Sequence, residues 1–204
     1  FIAKIKNELG YEIKELNLGG GFGIKYMDKD DPVPYETYME RVSGVVHQCC
    51  KELQINLPAM FIEPGRSIAA PAGITLYKVG ARKEIPNIRT YVSIDGGMCD
   101  NPRYALYKSE YEAIVANKAS EKRSETVTIA GKCCESGDLI GENMKLQHAE
   151  SGDIIAVCAT GAYNYSMSSN YNRIPKPAVV FVNNGQSRIA VKRETLDDII
   201  RNDI

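Results

Sequence analysis

No C-x-x-C motif, no histidine cluster and no block of like charge occurs anywhere in the sequence. Each absence removes a class of function. Net charge is −1, from 25 Lys and Arg against 26 Asp and Glu, so the electrostatic footprint of a nucleic-acid or membrane-surface binder is missing. No apolar run approaches the ~18 residues of a membrane span. Six cysteines at 49, 50, 99, 133, 134 and 158 read as reduced thiols of a cytoplasmic protein rather than a disulfide framework. The two histidines, His47 and His148, lack ligating neighbours at usable spacing, so both read as structural and no metal is expected.

What remains is an ordinary globular composition, 44% hydrophobic and 25% charged over 204 residues, enough for one or two domains. FIAKIKNELG places Ile2, Ile5 and Leu9 on one helical face with Gly10 as the stop. A chain that opens at Phe1 in mid-helix reads as a fragment. IKELNL (13–18) and AMFI (59–62) predict short buried strands, and residues 35–53 carry Met39, Val42, Val46, Cys49, Cys50 and Leu53 at helical spacing. The alternation belongs to a parallel α/β sheet or barrel. After Pro71 the character changes. Seven strand-like runs separated by Gly, Asn, Asp or Pro turns predict an antiparallel sheet or barrel, closed by a short helix that Thr195 can cap. The composition shift near 68–72 sets the expected boundary: an α/β domain over 1–67 and a β-rich domain over 68–204.

Several motifs carry chemistry, each with a plainer alternative. GGGFG (19–23) follows a strand; it serves either as a tight turn or as a loop whose N–H groups cradle phosphate. EPGR (63–66) follows the next strand, with Gly65 a bare backbone and Arg66 a planar donor fork. It is a surface turn or an anion grip. Two such loops at the carboxyl ends of adjacent strands favour a ligand site. NPRYALY (101–107) sets Arg103 four residues before Tyr107 in what reads as a loop. GAYNYSMSSNYN (161–172) is a polar connection or a loop that presents Tyr163. KCCESGDLIG (132–141) joins two thiols to a carboxylate; adjacent cysteines do not bridge without strain, which leaves incidental thiols or a working thiol beside Glu135.

Taken in this order, GGGFG, EPGR, R-x-x-x-Y, CESGD, GAY with SNYN and the closing RET resemble the diaminopimelate decarboxylase family, pyridoxal-phosphate enzymes of the alanine-racemase-like fold group. The resemblance runs from about residue 13 to about residue 200. It implies the last part of a (β/α)8 cofactor-binding barrel followed by a β-sandwich or β-barrel domain. It also implies pyridoxal 5'-phosphate held by Gly19, Gly20, Gly21, Glu63, Gly65, Arg66 and Tyr163, with Glu63 facing the ring nitrogen. Substrate contacts fall to Arg66, Arg103, Tyr107, Glu135 and Tyr163, and Cys134 becomes the proton donor, with Cys133 a passenger. The implied reaction is loss of CO2 from meso-2,6-diaminopimelate to give L-lysine, in a homodimer whose Cys-Glu pair reaches across the interface. The family's Schiff-base lysine lies in a region with no counterpart here, so the 204 residues alone are expected to be inactive. Decarboxylases of ornithine, arginine, D-lysine or carboxynorspermidine are the near alternatives, though ornithine-type members carry Cys-Asp where this chain has Cys134-Glu135. A catalytically inactive homologous module is the other.

Overall fold

Ile2 and Ile5 half-bury one stripe of a first helix, and Gly10 closes it in left-handed geometry. This is α1 (Ile2–Leu9) of a computed structural model that describes residues 1–204. The chain divides into two compact units: residues 1–25 with 29–69, and residues 26–28 with 70–204.

In the first unit, β1 (Glu15–Asn17) and β2 (Ala59–Phe61) pair in parallel with Leu16 opposite Met60. Parallel neighbours need a long crossover, and α2 (Tyr35–Glu52) supplies it. Met39, Val42 and Val46 are half-buried and Cys50 is buried along one face of α2. The expected apolar stripe ends there, because Cys49 and Leu53 are exposed. Phe22 packs between Tyr35 and Tyr38, with ring centroids 4.6 and 4.9 Å away, and ties the glycine loop to the first turn of α2. After β2 comes the single-turn α3 (Arg66–Ala69).

The second unit is built on β3 (Thr75–Ile85), long enough to serve two partners. Its first half pairs with β8 (Ile154–Val157) and its second half with β4 (Arg89–Ile94). The register shifts between Val79 and Arg82, where the Ser93 hydroxyl accepts from the Ala81 N–H at 2.7 Å. With β5 (Ala113–Val115), β6 (Glu125–Ala130) and β7 (Leu139–Leu146), these strands make a six-stranded sheet of order β5-β8-β3-β4-β6-β7. Its two edge strands, β5 and β7, approach each other, so the sheet is nearly closed. Tyr77, Val79, Val92, Ile94, Val127, Ile129, Ile140, Leu146 and Ile155 fill the interior.

Three expectations are corrected. The sheet is mixed, because β4 and β6 run parallel; residues 95–124 provide the long crossover such a pair requires. The run NPRYALY is a short helix, α4 (Arg103–Tyr107), rather than a loop. Five of the seven strand-like runs join one sheet, with β7, which lies outside those runs, as its sixth strand, while the last two, β9 (Val179–Asn183) and β10 (Gln186–Val191), stand apart as a separate hairpin. The closing helix, α5 (Leu196–Ile200), starts at Thr195, the cap the sequence leads one to expect, and Asp198 completes a full capping box.

Candidate functional site

The candidate residues fall into two groups, one in each unit. In the first, the carboxyl ends of β1 and β2 lie side by side, and the Leu18 N–H donates to the Phe61 carbonyl at 2.9 Å. The pairing continues into the loops: the Glu63 N–H donates to the Gly19 carbonyl at 2.7 Å. Asn17 joins both ends of the arrangement. Its amide nitrogen donates to the Glu63 carboxylate at 2.6 Å, and its oxygen accepts from the Gly19 N–H at 2.8 Å. A Cβ on Gly20 would lie 2.5 Å from the Glu63 carbonyl oxygen, so only a bare backbone fits there. Gly21, at φ +89°, sits where side chains are strained. Beyond Glu63, Gly65 accepts the first turn of α3, and Arg66 is half-buried at its start. Tyr35 hydrogen-bonds Ser67 and pins this turn to α2.

These residues suit a phosphorylated ring with a basic nitrogen. A glycine-lined cradle presents backbone N–H groups to an anion, and the exposed Glu63 carboxylate is available to a protonated ring nitrogen. Pyridoxal phosphate has that chemistry, and Gly19, Gly20, Gly21, Glu63, Gly65 and Arg66 are the residues that could hold it.

In the second unit, Arg103 is the centre. It is buried, at 7% exposure, on the first turn of α4. Its guanidinium carbon lies 5.5 Å from the Tyr107 ring centroid and 5.7 Å from that of Tyr163, so a planar cation is held by two aromatic faces. Nη2 donates to the Ser109 hydroxyl at 3.3 Å, and Nε has no hydrogen-bond partner. Tyr163 reaches this position from a left-handed backbone, φ +64°. Burial raises the Tyr111 pKa, and the nearby Arg103 charge opposes it.

The cysteine pair divides cleanly. Cys134 and Glu135 are exposed, whereas Cys133 is buried and its thiol pKa is pushed up by burial and by the Asp138 carboxylate. Glu135 accepts the Gly137 N–H at 3.2 Å. The two backbone amides are each fixed by a side chain: Cys133 N–H donates to Asp138 Oδ2 and Cys134 N–H to Asn172 Oδ1, both at 2.6 Å. Asp138 and Asn172 lie inside CESGD and SNYN, motifs that by themselves assign the two residues no role. The available signal was Ser-Gly-Asp after the pair, a turn that returns a carboxylate to preceding amides.

The histidines stay apart from both groups: His47 Nδ1 meets the Ser43 carbonyl at 2.8 Å and His148 Nδ1 meets Glu125 at 2.5 Å. A cavity of about 490 Å³ in the second unit is lined by Tyr104, Lys108, Glu142, Met144 and Lys145. None of the candidate residues lines it.

The family model described as the pyridoxal-dependent decarboxylase, C-terminal sheet domain, matches residues 24–161. A diaminopimelate decarboxylase of Bacillus methanolicus is 54% identical over 189 residues, covering 93% of this chain and 44% of the relative. That of Bacillus subtilis (strain 168) is 49% identical over 199 residues, covering 98% and 45%. Among solved structures, diaminopimelate decarboxylase from M. jannaschii in complex with L-lysine superposes with a TM-score of 0.90 at 35% identity. It covers 100% of this chain and 46% of that one, so the chain spans less than half the length of the relatives it matches. With the family model matched over most of its residues, the chain belongs to the pyridoxal-dependent decarboxylases and carries their carboxy-terminal sheet domain.

Proposed function

We propose that the protein carrying this chain decarboxylates meso-diaminopimelate to L-lysine with pyridoxal phosphate. One observation supports the substrate more than any other: Arg103 is a buried, planar cation gripped by Tyr107 and Tyr163. A substrate with a second carboxylate far from its reacting carbon needs such a partner, because an unpaired charge in a dry site is costly. Glu135 supplies the complementary contact for the distal ammonium. Gly20, Gly21, Gly65 and Arg66 hold the cofactor phosphate, and Gly19 shapes their loop through its N–H bond to Asn17; Glu63 keeps the ring nitrogen protonated, and Tyr163 contacts the cofactor as well as Arg103. When bound, the cofactor supplies the sink for the electron pair left as CO2 departs. The product carbon then needs a proton. The Cys134 thiol, exposed beside Glu135, delivers it. A homodimer with shared sites brings Cys134 and Glu135 of one subunit to the cofactor of the other.

The test is CO2 release and lysine formation from meso-diaminopimelate with added pyridoxal phosphate, alongside ornithine, arginine and D-lysine. Diaminopimelate should be the preferred substrate, and Arg103→Ala should lower its kcat/KM at least about tenfold, the worth of one charge-assisted hydrogen bond. Turnover of diaminopimelate unchanged in Arg103→Ala would sink the assignment.

A further inference from the structure

We propose that Asp138 is a positioning residue, whose buried carboxylate locks the loop bearing Cys134 and Glu135 to the loop that leads into Arg103. The proposal rests on the reading of Cys134, Glu135 and Arg103 given above and adds to it a residue that touches neither substrate nor cofactor.

Asp138 is 3% exposed. Its Oδ1 accepts the Met98 N–H and its Oδ2 the Cys133 N–H, each at 2.6 Å. Its backbone takes part too: the Gly131 N–H donates to the Asp138 carbonyl at 2.8 Å, and the Asp138 N–H to the Glu135 carbonyl at 3.1 Å. Alongside, the Lys132 N–H donates to the Gly96 carbonyl at 2.9 Å. Three segments, 96–98, 131–133 and 135–138, therefore meet at one carboxylate.

The surroundings fix which residue can occupy the position. A Cβ on Gly131 would lie 2.2 Å from one Asp138 oxygen, and a Cβ on Gly97 2.4 Å from the other. Glutamate would carry one methylene too many for that space. Asparagine has the right size, but it offers one acceptor oxygen where two N–H groups arrive, and its amide would face a donor.

The consequences run in both directions along the chain. Past Met98, the Asp100 and Asn101 N–H groups both donate to the Gly97 carbonyl at 2.9 Å, and the chain then enters α4 with Arg103. Past Cys133, the Cys134 amide is held by Asn172, itself left-handed at φ +54°. Electrostatics adds selectivity between the two thiols. Burial and the Asp138 charge keep Cys133 protonated, so the exposed neighbour is the thiol that works.

The experiment compares wild type, Asp138→Asn and the core variant Val127→Ala in the whole protein. Val127 is buried in the sheet interior and its truncation lowers stability alone. Asp138→Asn should lower kcat about a hundredfold, the scale set by an ~1 Å misplacement of reacting groups, while Val127→Ala keeps kcat. In parallel, alkylation by iodoacetamide is mapped by mass spectrometry. Wild type should modify Cys134 and spare Cys133; Asp138→Asn should open Cys133 to the reagent. Gly131→Ala should reproduce both effects, and the double variant Gly131→Ala/Asp138→Asn should be no worse than either. If Asp138→Asn leaves kcat as Val127→Ala does, or leaves Cys133 spared, the proposal is overturned. The alkylation pattern needs no turnover, so wild type inactive on diaminopimelate would refute the proposed function while Asp138 was still judged on Cys133.

Discussion

A single glycine-to-alanine change has opposite consequences at two places in the first unit, and the difference lies in what the new methyl group would meet. At Gly20 it meets the Glu63 carbonyl oxygen at 2.5 Å. That atom belongs to the backbone exiting β2 and cannot swing away as a side-chain tip would. Overpacking of this kind costs about 1–3 kcal/mol, and here it would push the glycine loop off the EPGR turn. Gly20→Ala should weaken pyridoxal phosphate binding at least about tenfold, read by cofactor absorbance titration of the whole protein. At Gly44, in the middle of α2, an added Cβ meets nothing within 4 Å, and alanine should stabilise by about 0.5–1 kcal/mol. The melting temperature would rise for Gly44→Ala while cofactor affinity stayed put. Equal effects from the two variants would show that the Gly20–Glu63 contact does not shape the cradle. The glycine triplet was visible in the sequence; that its middle member abuts the second loop was not, because the contact joins residues 43 positions apart.

At the scale of elements, what the sequence revealed depended on whether the pattern was local. Strand β1 into GGG, strand β2 into EPGR, helix α2 and the Thr195 cap were all legible, since each is written in consecutive residues. The parallel pairing of β4 with β6 was not, because neither strand records its neighbour's direction. The strand β7 was hidden for a different reason. Its sequence LIGENMKL breaks alternation at Glu142 and Asn143, and Asn143 adopts φ +55° where the register against β6 shifts. A bulge spoils the period of two on which strand recognition rests. Glu142 nonetheless has structural partners: it accepts Tyr104 Oη at 2.7 Å and Arg89 Nη1 at 2.8 Å. Burial and this bond push the Tyr104 hydroxyl up to about 12. If the bulge holds Asn143 left-handed, then Asn143→Gly should be close to neutral. Asn143→Val, β-branched and disfavoured at positive φ, should cost about 1–3 kcal/mol. Denaturant midpoints of the two variants check this. A valine as well tolerated as the glycine would mean that β7 runs without the bulge.

Across the molecule, burial is concentrated in one place. The buried residues of the hydrophobic cluster all fall within 77–157, with Tyr26 packed against them, while the β9–β10 hairpin exposes Val180, Phe181, Val182 and Ile189. No helix is long and apolar enough to cross a membrane. Stability of the second unit therefore resides in its six-stranded sheet and the polar contacts at the sheet's ends. One set of these surrounds Asp153, in the turn before β8. Lys118 Nζ lies 2.8 Å away, Asn117 Nδ2 donates at 2.7 Å and the Glu150 N–H at 2.8 Å. Lys118 is the largest influence, and the Asp153 pKa falls from 3.8 to about 2. A carboxylate depressed on folding stabilises fully above its unfolded value and loses that contribution as pH falls through the folded one. For Asp153 the loss should run from about pH 4 down to about pH 2. Asp153→Asn keeps the shape and removes the charge. Its melting temperature should lie below wild type at pH 7, and the gap should close as acid protonates the wild-type carboxyl. Melting curves at intervals from pH 7 to about pH 2 would show it. Two curves that stay parallel throughout would mean that the Lys118–Asp153 pair carries none of the unit's acid sensitivity, and that other depressed carboxylates of the unit, among them Glu125 beside Arg82 and Glu142 beside Tyr104, set it instead.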